Sequence, residues 1–137
     1  MKRKPKWIAA ISPSKRASVE AYNREARRVV MDAQERGVEC PVALAIWGEI
    51  WIVTEIHHAR GKLCEALRHD KRGWFLVCRK AHSWIDRNRQ KAQSKGWLCP
   101  LGKWGSPFRS NEPPMPGSVA EMEAKNLLRP AGTDAKV

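Results

Sequence analysis

Residues 56–62 (IHHARGK) and residues 76–85 (LVCRKAHSWI) form the stretch of sequence that decides the predicted fold. The apolar, β-branched run over residues 50–56 predicts a strand that ends at the two histidines. Residues 59–73 predict a loop, and residues 74–77 predict a second short strand. The sequence therefore predicts a two-stranded hairpin at the centre of an α+β fold.

A helix is predicted on each side of this hairpin. Upstream, Ser12 and Pro13 are typical of a helix start, apolar residues then recur at helical spacing, and Gly37 predicts the end. Downstream, residues 80–94 predict a helix with one apolar face, which Gly96 ends. The predicted order is helix, strand, loop, strand and helix.

Composition divides the 137 residues into three stretches. Residues 1–36 form a basic N-terminal arm and helix, with ten Lys or Arg against four Asp or Glu. Residues 37–104 hold all four cysteines, all four histidines and six of the seven tryptophans, so the predicted core and its chemistry lie there. Residues 105–137 form a Pro/Gly-rich tail, expected to be draped on the core or partly disordered, with a short helix over residues 118–128.

The charge is the strongest global feature of the sequence. Lys plus Arg exceed Asp plus Glu by 26 to 14, which gives a net charge of +12 and a pI near 10.1. Such a field attracts polyanions, so nucleic acid is the expected partner, and an acidic protein is the alternative. The tryptophans could fill the core or stack on bases.

A cytoplasmic protein without membrane contact is expected. No long apolar region follows the basic N-terminus, so the sequence does not predict a secretory signal. No segment approaches the ~20 apolar residues of a transmembrane helix. Without a signal peptide, the four cysteines are interpreted as metal ligands or buried residues, and not as a disulfide framework.

Two histidines and one aspartate can converge where the strand packs on the following helix. His82 lies in the first turn of that helix, and Asp86 follows on the same face. With His57 they would surround one ion, while His58 projects to the other side of the strand end and can accept a proton from water. In the alternative interpretation, His57 and His58 are hydrogen-bonded loop residues and His82 packs beside Trp84.

These residues, with Asn88, Ala92 and residues 96–98, resemble the small HNH endonuclease-like proteins common in bacteriophage genomes. Those proteins typically read Cys-x2-Cys, then His-His-x-Arg-Gly, then Cys-x2-Cys-His-x-Trp-Ile-His. The resemblance covers roughly residues 14–98. It implies an HNH (ββα-metal) core and a metal-dependent endonuclease, phage-encoded, that cuts DNA rather than RNA in the host cytoplasm.

The resemblance also implies roles for single residues. His57 falls on the first metal ligand, His58 on the general base and His82 on a helix ligand. Asp86 replaces the last motif histidine, and its carboxylate suits Mg²⁺ or Mn²⁺, with Zn²⁺ as a further option. The motif asparagine, which braces the loop that carries the base, should fall near Gly73 and is absent.

The family's structural zinc is expected to be absent. Cys40 and Cys78 begin the two knuckles, but Ala43 and Ala81 stand where the second cysteine of each should be. Two thiolates do not complete a tetrahedral zinc site, so this is a degenerate zinc knuckle. Cys40 and Cys78 are still expected to lie near one another.

Two further expectations concern the surroundings of this knuckle. Cys64 or Cys99 would substitute for the lost ligands only if the loops brought them close. Apolar packing is expected to replace the ion, supplied by Trp47, Trp51, Trp74 and Trp84.

Basic residues flank the predicted site and are expected to contact phosphates, which would make binding strongly salt-dependent. They are Arg60, Lys62, Arg79 and Lys80 near the hairpin, and Arg24, Arg27 and Arg28 on the first helix. Three functions remain open at this point. They are a nuclease, an HNH scaffold that binds DNA without cutting, and a module that binds an acidic host protein.

Overall fold

The structure, a computed structural model, describes residues 12–131. Within them, six α-helices surround one two-stranded antiparallel sheet, so the α+β class is confirmed and the hairpin is compatible with a ββα core. None of these helices is both long and apolar enough to cross a membrane. The elements in chain order are α1 (Pro13–Glu35), α2 (Pro41–Trp47), β1 (Glu55–His58), α3 (Glu65–His69), a 3₁₀ turn (Lys71–Gly73), β2 (Trp74–Val77), α4 (Arg79–Arg87), α5 (Arg89–Ser94) and α6 (Val119–Ala124).

Helix α1 begins and ends as the sequence predicts. The Ser12 hydroxyl accepts a hydrogen bond from the Lys15 amide at 3.2 Å, and Pro13 occupies the first turn. Gly37 follows the helix with φ of +70°, a conformation that favours glycine. Val29 and Ala33 are buried, so α1 forms part of the core.

The hairpin is shorter than predicted at its first strand. Strand β1 begins at Glu55, and residues 50–52 lie outside it, with only an isolated bridge between Ile52 and Glu39. The side chains of Ile50, Trp51 and Ile52 are 71%, 45% and 52% exposed. A β-branched run favours extended backbone, but pairing requires a neighbouring strand, and β2 spans only four residues.

The register of the hairpin places the two histidines opposite buried aromatic residues. His57 pairs with Phe75 and His58 with Trp74. Strand β2 occupies residues 74–77, as predicted, and all four of its side chains are buried. The histidine pair is therefore held on a rigid, well-packed strand.

Two local predictions were wrong. Residues 59–73 contain α3 and the 3₁₀ turn as well as loop. The helix predicted over residues 80–94 is broken at Asn88, whose φ of −129° and ψ of 51° separate α4 from α5. The Asn88 side-chain amide donates to the Trp84 carbonyl at 2.9 Å, so this side chain takes up a carbonyl in the last turn of α4.

The C-terminal stretch packs on the core as far as it is described. Val119 and Leu128 are buried, and helix α6 is shorter than the predicted residues 118–128. Ser118 caps α6, because its hydroxyl accepts a hydrogen bond from the Glu121 amide. In a capping box the Glu121 carboxylate would also accept from the Ser118 amide, but here it accepts from the Gly117 amide.

A half-buried ion network ties this stretch to the rest of the molecule. The Lys71 ammonium contacts the carboxylates of Glu25, on α1, and Glu123, on α6. Although burial alone would raise the pKa of Glu25, hydrogen bonds from Arg28 and Lys71 hold it below its usual value. The network joins three elements that are distant in sequence.

Candidate metal centre and nucleic-acid interface

Strand β1 and helix α4 bring four predicted site residues to one cavity of about 220 Å³. His57, His58, His82 and Asp86 all line it, and Lys62 stands at its edge. The remaining lining residues are Ile56, Gly61, Leu63 and Trp104. The two elements therefore bring these side chains to one cavity, whereas the joint coordination of one ion stays a prediction.

His57 is held in one tautomer by a backbone carbonyl. It is 3% exposed, and its Nε2 lies 2.8 Å from the Trp97 carbonyl oxygen. A carbonyl oxygen only accepts, so Nε2 carries the proton and Nδ1 keeps a free lone pair. Burial lowers the pKa of His57 to about 4, so the ring is neutral at physiological pH.

His82 is oriented in a matching way by a carboxylate. Its Nδ1 lies 3.0 Å from Glu55 Oε1, so Nδ1 donates, and in the neutral ring Nε2 keeps the lone pair. The His57 and His82 ring centroids are 5.2 Å apart. Two imidazoles that share one ion have centroids roughly 5 Å apart, because each metal–nitrogen bond is about 2.1 Å long.

Glu55 was not anticipated as a site residue, although the sequence contains the signal. It precedes His57 by two residues in the same strand, and residues at that spacing share a face. The Trp97 carbonyl had no signal, because a backbone group is not specified by residue type. Metal-binding histidines generally donate their other ring N–H to a carboxylate or a backbone carbonyl, as His82 and His57 do here.

Asp86 lines the cavity but is not in a ligating position. Within residues 12–131, no three His, Cys, Asp or Glu side chains are close enough to hold a metal ion together. The two nitrogen donors thus fit a divalent ion in type and tautomer, and the separation of their rings is compatible with one shared ion. The Asp86 carboxylate fits in type and location, and its exposed side chain would have to rotate to become the third donor.

His58 lies on the α1 side of the strand, away from His82. Its Nε2 is 3.0 Å from the Tyr22 hydroxyl oxygen. Burial, and then the charge of Lys62, lower the pKa of His58 to about 3. Burial also raises the pKa of Tyr22, so both partners are neutral and either one can donate.

The end of strand β1, where His58 lies, is braced by the backbone and not by an asparagine side chain. The Ala59 amide donates to the Gly73 carbonyl at 2.9 Å. A Cβ atom at Gly73 would lie 3.1 Å from the Phe108 ring, so the space for a side chain there is already filled. The backbone therefore provides the support that the resemblance assigned to an asparagine side chain.

Cys40 and Cys78 lie together, as predicted. The Cys78 amide donates to Cys40 Sγ at 3.3 Å, and both thiols are buried and free. Within residues 12–131, neither Cys64 nor Cys99 forms a metal-binding group with them. Of the four tryptophans expected to pack around them, Trp74 is buried, whereas Trp51 is half-exposed with the Lys80 ammonium 5.8 Å from its ring.

Five of the seven cations expected to bind phosphate are exposed, and four of these five are Arg24, Arg27, Lys62 and Arg79. The Arg79 side chain is 88% exposed and lies 3.8 Å from Glu55. Lys80 is also exposed but pairs with Glu49 at 2.8 Å and lies 4.3 Å over Trp47. These residues remain candidates for nucleic-acid contact.

The other two cations have structural partners. Arg28 pairs with Glu25 and also donates to the Arg129 carbonyl. Arg60 is 5% exposed, lies 4.1 Å over the Phe108 ring and pairs with Glu112 at 2.6 Å. The expectation that Arg60 contacts phosphate is corrected, because its guanidinium already binds a carboxylate inside the fold.

The Arg60–Glu112 pair predicts a pH-dependent stability. Hydrogen bonds from Arg60 and then from the Arg109 amide lower the pKa of Glu112 to about 2 from 4.5. A depressed carboxyl pKa stabilises the fold above the unfolded value, and the contribution is lost as pH falls toward the folded value. The difference in unfolding free energy between wild type and Glu112→Gln should therefore shrink between pH 4.5 and about 2. Urea titrations across this window measure it, and a constant difference would contradict the assignment.

Comparison of the chain with protein-family models, with curated proteins and with solved structures found no match. The geometry of the site is therefore the basis for a functional proposal.

Proposed function

We propose that this protein is a metal-dependent endonuclease of the HNH type, which hydrolyses phosphodiester bonds in DNA. The observation that carries the proposal is the facing pair His57 and His82. Each imidazole donates one ring N–H to an acceptor and keeps a lone pair on its other nitrogen. The centroids of the two rings are 5.2 Å apart.

Five residues of the cavity have a role in this reaction. His57 Nδ1, His82 Nε2 and a rotated Asp86 carboxylate would hold Mg²⁺ or Mn²⁺. Such an ion neutralises the scissile phosphate and stabilises the leaving oxygen. His58 accepts a proton from the attacking water at Nδ1 when its Nε2 donates to the Tyr22 oxygen, and Lys62 attracts the phosphate.

Nicking of supercoiled plasmid in Mn²⁺ or Mg²⁺ tests the proposal. Wild type should nick with either ion and stop when EDTA is added. Glu55→Ala removes the acceptor for His82 and should weaken Mn²⁺ affinity by about 10–100-fold, measured by calorimetry. Glu55→Gln keeps a carbonyl acceptor for His82, so its loss of Mn²⁺ affinity should be smaller than that of Glu55→Ala.

His69→Ala is the matched control for these variants. His69 bonds to Ser18 and lines a different cavity, so this variant should nick and bind Mn²⁺ as wild type does. Wild type that nicks equally well in EDTA, or Glu55→Ala that binds Mn²⁺ as tightly as wild type, would contradict the metal assignment.

A second candidate function is DNA binding without cutting. Two observations favour it. Within residues 12–131 no third metal ligand is in place. The pKa of His58 is lowered to about 3, which makes this histidine a weak base. A protein that shifts DNA in a gel but is inert with and without His58 would have this function. A protein that shifts no nucleic acid at moderate salt would leave an acidic host protein as the partner.

A further inference from the structure

A second cavity adjoins the histidine cavity, and Trp104 forms part of the wall of both. It has a volume of about 200 Å³ and lies between helix α5 and the turn formed by residues 98–104. Its lining combines apolar surface from Leu98, Leu101 and Trp104 with the polar side chains of Arg89, Gln90 and Gln93.

We propose that this second cavity binds one unpaired nucleobase, stacked against Trp104, when the adjoining phosphate lies in the histidine cavity. The inference rests on the proposed function for the position of that phosphate. It adds the substrate class, which is nucleic acid with an unpaired base beside the scissile bond, either single-stranded or locally opened.

Trp104 is held in a fixed position relative to the histidine pair. The Cys99 amide donates to the Ala59 carbonyl at 2.9 Å, and the Gly105 amide donates to the Arg60 carbonyl at 2.8 Å. Ala59 and Arg60 directly follow His58 in the chain. Both ends of the Trp104 turn are therefore bonded to the segment that carries the proposed base.

The indole ring is also oriented by Gly61. Its φ is +87°, and a Cβ atom there would lie 3.1 Å from two atoms of the Trp104 ring. The backbone of Gly61 thus packs directly on the indole. Trp104 is nevertheless 46% exposed, so part of a large, flat and rigid aromatic surface is accessible to a ligand.

The side chains beside Trp104 suit a nucleotide. The Arg89 guanidinium lies 4.6 Å over the indole, is exposed, and forms no ion pair within residues 12–131. An entering base would displace it from the ring and leave it free to pair with a phosphate. The Gln90 and Gln93 amides, each both donor and acceptor, make no hydrogen bond in the described part of the chain and can bond to a base edge.

The test measures binding in EDTA, where cutting cannot contribute. The probes are a labelled single strand of about twelve nucleotides, its duplex, and a single strand of the same length with abasic sites throughout. Trp104→Ala should weaken binding of the intact single strand by about 10-fold and leave duplex binding unchanged. The difference in affinity between the intact and the abasic strand should also be smaller for this variant than for wild type. Trp104→Phe should retain most of the affinity.

Trp51→Ala is the matched control, because Trp51 is equally exposed but lines neither cavity. The inference is overturned if Trp104→Ala binds the single strand as tightly as wild type does. It is also overturned if wild type binds the abasic and intact strands equally, a comparison that needs no variant to fold. Mn²⁺-dependent nicking without a Trp104 effect would refute the base subsite alone, whereas Trp104-dependent binding without nicking would refute the nuclease alone.

Discussion

Replacing His58 with alanine is expected to slow Mn²⁺-dependent nicking by about 10²–10⁴-fold and to leave Mn²⁺ affinity unchanged. His58 lies on the α1 side of β1, bonded to Tyr22, whereas the two imidazoles proposed as ligands lie on the α4 side. Loss of its ring removes the proposed proton acceptor without removing a proposed metal ligand.

The pH dependence gives this prediction a second readout. With its pKa lowered to about 3, His58 is already in its basic form throughout the neutral range. The nicking rate at low substrate should therefore not fall as pH drops through the usual histidine value of 6.5. A fall centred near that value would contradict a general base whose pKa is lowered to about 3.

The Tyr22 contact supplies the matched variant. Tyr22→Phe removes the hydroxyl partner of His58 but keeps the ring that packs on Trp74. It should slow nicking much less than His58→Ala, because the imidazole remains. A His58→Ala protein that nicks at the wild-type rate would remove His58 from the mechanism, provided that its thermal unfolding is unchanged.

The sequence predicted those parts of the fold that depend on local signals. Ser12, Pro13 and Gly37 define α1 because capping and positive φ are local properties. The meeting of His57 with His82 followed from strand and helix periodicity together with one assumption about packing. These features needed no knowledge of distant contacts.

The features that the sequence did not predict depend on partners far along the chain. Arg60 was assigned to phosphate, yet the carboxylate that binds it, Glu112, lies 52 residues later. The strand was predicted to start at Ile50 because the run is apolar, but pairing ends where β2 ends. Burial and pairing are properties of the tertiary structure, which residue type alone does not determine.

The double substitution Ala43→Cys and Ala81→Cys is expected to create a tightly bound zinc site between α2 and α4. Cys40 and Cys78 precede the first residues of these two helices, and the alanines lie three residues on. The Ala43 amide donates to Cys40 Sγ at 3.4 Å, and the Cys78 amide donates to the same sulfur at 3.3 Å. The N-termini of the two helices therefore already lie next to each other.

The expected effect on stability is large and depends on zinc. Both alanines are completely buried, so each added sulfur should destabilise the zinc-free protein by about 1–3 kcal/mol. Four thiolates complete a tetrahedral site, and free zinc at about 1,000 times Kd stabilises the fold by about 4 kcal/mol. For a domain of this size, that corresponds to an increase in Tm of roughly 10–20 °C over the zinc-free variant.

Zinc content and Tm with and without zinc measure the outcome. Ala43→Ser with Ala81→Ser adds similar volume without thiolates, so its Tm should not respond to zinc. Each single cysteine variant supplies only three thiolates and should bind zinc more weakly than the double variant. A double variant that purifies without zinc, and whose Tm ignores added zinc, would show that Cys40 and Cys78 are neighbours in a packed core rather than half of a metal knuckle. In that case the backbone around Cys40 and Cys78 would differ from that of a zinc knuckle, in addition to the absence of two sulfur ligands.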